Sequence, residues 1–199
     1  MKMKRVAWAV VPAILIAMGV GYSLQQWWLP NLRCVRTGVL WRSGQPSLVG
    51  LWVARLAGTR TIISLRAGND ERSLAEAAFA ERHGIRLIRE PLQFSGRGTE
   101  GVARRVLEVL ADSQAWPVLV HCARGKERSG LIAAVFRIEC DGWTNSQALE
   151  EMHALGLRPG SLPGFESFIA SYVPQGRGKE RRAHLPGVPL AEPELAAGW

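Results

Sequence analysis

Cys122 and Arg128 stand six positions apart in the stretch HCARGKERSG, residues 121–130, which also holds Arg124, Lys126 and two glycines. It begins where the apolar run WPVLVHC (116–122) ends and finishes where the helical pattern RSGLIAAVFRIE (128–139) starts. A strand end, a tight loop and a helix N-terminus aim backbone N–H groups and the positive end of a helix dipole at one point, which makes an anion site. Gly125 and Gly130 permit the close backbone approach that such a cradle requires. The same field favours thiolate over thiol at Cys122, and a thiolate is a strong nucleophile. Arg128 can reach back over the bound group and grip two phosphoryl oxygens with its planar fork. Those oxygens carry the charge in the transition state of phosphoryl transfer. Ser129 can donate a hydrogen bond to the sulfur as it departs.

The elements that must position these residues alternate in type. Short strands are expected at VLWRSG (39–44), TIISLR (61–66), IRLIREP (85–91) and WPVLVHC (116–122). Helices are expected at PSLVGLWVARLAG (46–58), DERSLAEAAFAERHG (70–84), TEGVARRVLEVLAD (99–112) and from residue 128 onward. The acidic start and closing Gly84 of the second helix suit its dipole and C-cap. Apolar strands alternating with helices predict an α/β fold with a mostly parallel central sheet flanked by helices.

The pattern Cys-x5-Arg-Ser/Thr-Gly resembles the signature of the cysteine-dependent protein-tyrosine and dual-specificity phosphatase superfamily. Upstream, WRSGQPS (41–47) is similar to the YRSGQP stretch of compact atypical dual-specificity phosphatases, and TIISLR to the hydrophobic strand and Leu-Arg that follow it there. The resemblance covers residues 36–172 and implies a protein-tyrosine-phosphatase-like fold. It implies that Cys122 is the nucleophile, Arg128 the transition-state clamp and Ser129 the helper of the leaving thiolate. Ala123, Arg124, Gly125, Lys126 and Gly130 would then form the phosphate cradle, and His121 would support the cysteine.

One departure concerns the general acid. Most members carry an aspartate on a movable loop between the preceding strand and the helix before the cysteine strand, but EPLQFSGRGTEG (90–101) has none. Glu90, Glu100, Asp70 and Glu127 are the available carboxylates. Glu127 is the candidate general acid, because some lipid phosphatases of the superfamily carry an acidic residue immediately before the arginine. Lys126 and Arg124 make a loop that resembles those of phosphoinositide phosphatases and of enzymes acting on inositol pyrophosphates. Extra cations suit a substrate with several phosphates; both could equally lie on the rim.

The whole chain has 199 residues, 47% of them hydrophobic, which is enough to bury the core of one ordinary domain. Its formal charge of +8 points to anionic partners. Three cysteines (Cys34, Cys122, Cys140) argue against a disulfide scaffold. A helical path would put Cys140 about 18 Å from the loop, too far to pair with Cys122. His83, His153 and His184 have no metal-ligand spacing, so neither metal nor organic cofactor is inferred.

The layout reads as a basic N-terminus (1–5), a membrane anchor (6–28), a linker (29–37), a phosphatase domain (38–173) and a Pro-rich basic tail (174–199) expected to be disordered. Residues 6–24 contain no charge and are just long enough for one membrane pass, and Trp27 and Trp28 suit the interface. A cleaved signal peptide and a buried core helix are the competing readings. Lys2, Lys4 and Arg5 favour a cytoplasmic N-terminus, whereas a reactive thiol favours a reducing compartment for the domain, so the side is left open. The tail cations Arg177, Lys179, Arg181 and Arg182 read as a solvated run, and no nucleic-acid partner is expected.

The expected function is therefore that of a membrane-tethered, single-pass phosphatase hydrolysing phosphate monoesters through a phosphocysteine intermediate. Its substrate would be a phosphorylated protein or an inositol-type phosphate. The alternative from another class is a non-catalytic phosphate-recognition module. Sulfur transfer by a loop cysteine is disfavoured by the spacing to Arg128 and by the Ser-Gly after it.

Overall fold

A computed structural model describes Ser23 and residues 26–175. Most of the expected anchor (6–22, 24 and 25) and nearly all of the tail (176–199) lie outside the described residues. Among the described residues no helix is long and apolar enough to cross a membrane.

Five strands form one sheet: β1 (Arg33–Arg36), β2 (Leu40–Ser43), β3 (Thr61–Ser64), β4 (Arg86–Arg89) and β5 (Val118–His121). Their order is β1-β2-β5-β3-β4, with β1 antiparallel to β2 and every other pairing parallel. The mixed α/β class and the mostly parallel sheet expected from the strand and helix alternation are thus present. The edge strand β1 is new, and it lies in the stretch that composition reads as linker. Its four residues, two of them arginines, carry no apolar run, so only pairing with β2 reveals it.

β5 is the central strand, and all four of its residues are buried. Its neighbours put Ser43 of β2 and Ser64 of β3 level with His121, so three parallel strands end together just before Cys122. Parallel strands covered on both faces lose the polar alternation of half-exposed ones. Side chains still alternate between two cores. Val118 and Val120 face the larger core with Ile63, whereas Leu119 faces the smaller one with Ile62.

Two helices, α1 (Leu48–Leu56) and α2 (Glu71–Arg82), cover the smaller core through Leu51, Ala54, Phe79 and Ala80. Ser47 and Asp70 cap them, accepting from Gly50 N at 3.1 Å and Ser73 N at 2.9 Å. The opposite face carries α3 (Thr99–Ala111), α4 (Glu127–Phe136), α5 (Asn145–Ala154) and α6 (Pro163–Ala170). The last two fill the stretch after residue 142, for which periodicity had identified no element. α5 opens with a full Thr144–Gln147 capping box.

The helix expected from 128 to 139 changes pitch. After Phe136 it widens into a π-helical turn, Arg137–Asp141, closed by left-handed Gly142. Within this turn Arg137 reaches both Asp141 at 2.8 Å and Glu151 at 3.0 Å. Asp141 also pairs with Arg36, which ties the edge strand to the helical face.

Candidate active site

The loop from Cys122 to Lys126 joins the end of β5 to the start of α4. No side chain caps that helix, so the loop itself must complete its N-terminus. Gly125 adopts a φ of +75°, and a Cβ there would fall 2.3 Å from Gly44 N and 2.9 Å from Pro30 O. Both the left-handed backbone and the contact with the Gly44 turn therefore require glycine. Gly44 is pressed against the same loop: a Cβ on it would meet Ala123 O at 3.0 Å.

Cys122 is buried, and its Sγ accepts a hydrogen bond from Gly125 N at 3.2 Å. Ser129 Oγ lies 3.6 Å from the same sulfur, where the sequence places the helper of the leaving thiolate. Arg128 donates from Nη1 to Leu65 O at 3.0 Å and lays its guanidinium 4.5 Å from the centre of the Phe94 ring. Its Nε is buried and has no protein partner. A fork held on one arm and one face, with a buried donor left over, is set to take an incoming oxyanion.

The other cradle residues divide. Ala123 and Arg124 are exposed, and Arg124 gives its guanidinium to Glu127 Oε1 at 2.5 Å while its carbonyl accepts from Asn31 Nδ2 at 2.8 Å. Lys126 runs its stem against the α5–α6 connection, where a Cβ on Gly156 would touch its Cδ at 2.8 Å. Gly130 lies against Arg42, whose Nη1 a Cβ would meet at 2.8 Å.

The four candidate carboxylates are all accounted for. Glu127 is engaged by Arg124. Glu90 accepts from Arg105 Nε with both oxygens, at 3.0 and 2.9 Å. Glu100 is exposed on the first turn of α3. At Asp70, hydrogen bonds from Arg66 and then from Ser73 hold the carboxyl well below the usual carboxylate range. The loop at 90–98 brings Phe94, not an acid, to Arg128.

Two supporting residues escaped notice in the sequence. Arg42 is buried and donates from Nη1 to Lys126 O at 3.2 Å, directly beneath the loop. Burial lowers the pKa of this guanidinium, and the negative charges of Glu151 and Cys122 oppose the shift. Its signal was present in WRSGQPS, whose arginine carries the contact. Glu76 is the second. It is buried on α2, with Oε1 2.9 Å from His121 Nε2 at ion-pair distance but without a straight hydrogen bond. Gln45 donates to the same oxygen at 3.2 Å, and Arg66 donates to Gln45 at 2.8 Å. His121 Nδ1 in turn lies 3.3 Å from Cys122 O, so a polar chain runs from exposed Asp70 through Arg66 and the buried Gln45, Glu76 and His121 to the nucleophile's backbone. No pattern in LAEAAFAE distinguishes Glu76 from the solvated Glu81.

This constellation has a match in sequence. A family model described as "DSP-PTPase phosphatase fused to NAD+ Kinase" covers residues 31–163. The chain belongs to this phosphatase family. Among relatives of this dual-specificity-phosphatase-like family, the dual specificity protein phosphatase TpbA of Pseudomonas aeruginosa is 29% identical over 128 residues, covering 64% of this chain and 56% of its own. Inositol diphosphatase DSP1 of Oryza sativa subsp. japonica is 32% identical over 115 residues, covering 54% of this chain and 49% of its own. The chain thus spans about half the length of these two relatives. The core catalytic domain of PP-IP phosphatase SIW14 from S. cerevisiae superposes with a TM-score of 0.63 at 20% identity, covering 77% of this chain and 93% of its own, a likeness of fold.

Proposed function

We propose that this protein hydrolyses phosphate monoesters or phosphoanhydrides through a covalent phosphocysteine. The observation that carries the reading is the pairing of Cys122 Sγ, hydrogen-bonded by Gly125 N, with the unpartnered Nε of Arg128 at the uncapped start of α4. The Cys122 thiolate attacks phosphorus and forms an S–P bond while the bond to the leaving oxygen breaks. Arg128 and the loop N–H groups hold the three equatorial oxygens as charge spreads over them. Water then attacks the phosphocysteine, the S–P bond breaks, Ser129 supports the departing thiolate, and inorganic phosphate is released. Residues 91–98 carry no carboxylate, and Glu90 at the start of that loop is held by Arg105, which favours leaving groups that depart as stable anions, such as an aryl oxide or another phosphate.

The substrate class follows from that limit and from the loop cations. Phosphotyrosine supplies an aryl oxide; an inositol pyrophosphate supplies an anhydride, whose leaving group is a phosphate, and the additional charge that Arg124 and Lys126 can meet. The names of relatives, dual specificity protein phosphatase and inositol diphosphatase, fall on both sides. Membrane tethering through residues 6–24, argued from their uncharged length, is part of the same proposal.

The test is phosphate release by the full chain, under reducing conditions, from an aryl phosphate, a phosphotyrosine peptide, a soluble inositol pyrophosphate and a phosphoinositide. Cys122→Ser is expected to abolish release from every substrate that the wild type turns over. A folded wild type that releases phosphate from none of the four would identify a phosphate-binding module instead.

A further inference from the structure

The helix α1 is apolar on all sides. Leu51 and Ala54 are buried on the sheet, yet Leu48, Val49, Trp52, Val53 and Leu56 are exposed, and Arg55 is its one charged residue. The exposed set recurs at i, i+1, i+4, i+5 and i+8, which is one face of a helix, and Leu48 and Leu56 are 57% and 79% accessible. A helix that is hydrophobic all round belongs under cover. Of the ten large hydrophobic side chains exposed among the described residues, seven belong to α1 and to Trp27 and Trp28. An apolar hollow of about 110 Å³, lined by Leu29, Leu32, Trp41, Val53 and Ala54 among others, opens beside the stripe.

The chain itself says what covers this face. The uncharged run 6–24 ends three residues before Trp27. Trp28 O accepts from Ser47 N, the cap residue of α1, at 3.0 Å, and a Cβ on Gly50 would overlap Trp28 O. Trp28, four residues beyond the run in sequence, is thus fixed on the first turn of α1. If residues 6–24 cross a bilayer, Trp27 and Trp28 fall at the headgroup level, and backbone geometry brings α1 to the same depth. Exposed Arg55 and Arg60 flank the far end of the stripe, where they suit anionic headgroups. The same segment touches the catalytic loop: Pro30 O accepts from Gly44 N at 2.6 Å, and Asn31 holds Arg124 O.

We propose that the apolar face of α1, with Trp27 and Trp28, beds into the lipid–water interface and so holds the catalytic loop at the membrane surface. This rests on the membrane-anchor reading above and adds an orientation to it. The occupant of the face is lipid, and the substrates favoured are those presented at headgroup height.

The test uses the full chain carrying Cys34→Ser and Cys122→Ser, with a fluorophore on Leu56→Cys or, as control on the opposite face of the sheet, on Glu108→Cys of α3. The protein is reconstituted in phosphatidylcholine–phosphatidylglycerol vesicles, floated on a density gradient, and exposed either to nitroxide-bearing lipid or to aqueous iodide. The expected result is that the Leu56→Cys label loses most of its emission to the lipid nitroxide and is shielded from iodide, with the reverse for Glu108→Cys. Flotation with a Leu56→Cys label as open to iodide as the control overturns the interfacial face and leaves the anchor standing. Energy transfer between labelled copies, without lipid quenching, overturns it in favour of a second copy on this face. Failure to float overturns the anchor and the orientation together.

Discussion

Arg124 and Glu127 show how one contact divides two roles for the same side chain. A loop carboxylate one residue before the arginine could protonate a leaving group, but Glu127 Oε1 is held 2.5 Å from Arg124, whose side chain is largely in solvent. Rim pairs of this kind contribute about 0–1 kcal/mol. The geometry favours a positioning role, in which Glu127 keeps the exposed loop cation in place. Glu127→Gln is therefore expected to slow turnover of an aryl phosphate and of an alkyl phosphate by a similar, small factor. A loss confined to the alkyl substrate would instead make Glu127 the proton donor, because only the alkoxide needs that help.

The catalytic element is the loop together with the turn that supports it. Gly44 after β2, Gly125 in the loop and Gly130 in α4 are places where backbone or a buried guanidinium leaves no room for a methyl group. Gly125 is the most demanding, since its left-handed φ and the 2.3 Å approach to Gly44 N act together. Gly125→Ala must either shift the turn or twist the loop, at a cost of about 1–3 kcal/mol. The N–H that Cys122 Sγ accepts from belongs to this same residue. The variant should melt several degrees lower and lose turnover beyond what instability explains, measured by kcat well below its Tm. An alanine variant with unchanged kcat would mean that the loop accommodates a Cβ at residue 125 without moving its N–H from the nucleophile.

For the whole molecule, legibility in the sequence followed the range of the interactions. Cys122, Arg128 and Ser129 belong to one local pattern, and the parallel strands announce themselves by apolar runs; both were readable. β1 has no apolar run and exists by pairing, Glu76 is buried only because α2 brings it under His121, and Phe94 meets Arg128 across 34 positions. Contacts made only by tertiary folding leave no local periodicity. The same long-range convergence predicts a global response to an anion. Arg128 is tied to Leu65 after β3, Arg42 of β2 holds the Lys126 carbonyl, and the loop links β5 to α4, so an oxyanion in the cradle couples to most of the sheet. A ligand bound only by the folded state adds about 2.7 kcal/mol of stability at a hundredfold excess over its Kd. For a domain of this size that is roughly 5–10 °C in Tm. Inorganic phosphate or vanadate is expected to raise the Tm of the full chain by such an amount. Arg128→Lys should lose most of the increment while keeping its own ligand-free Tm near that of the wild type, because lysine retains the charge without the fork. An equal rise in both proteins would place the anion elsewhere than under Arg128.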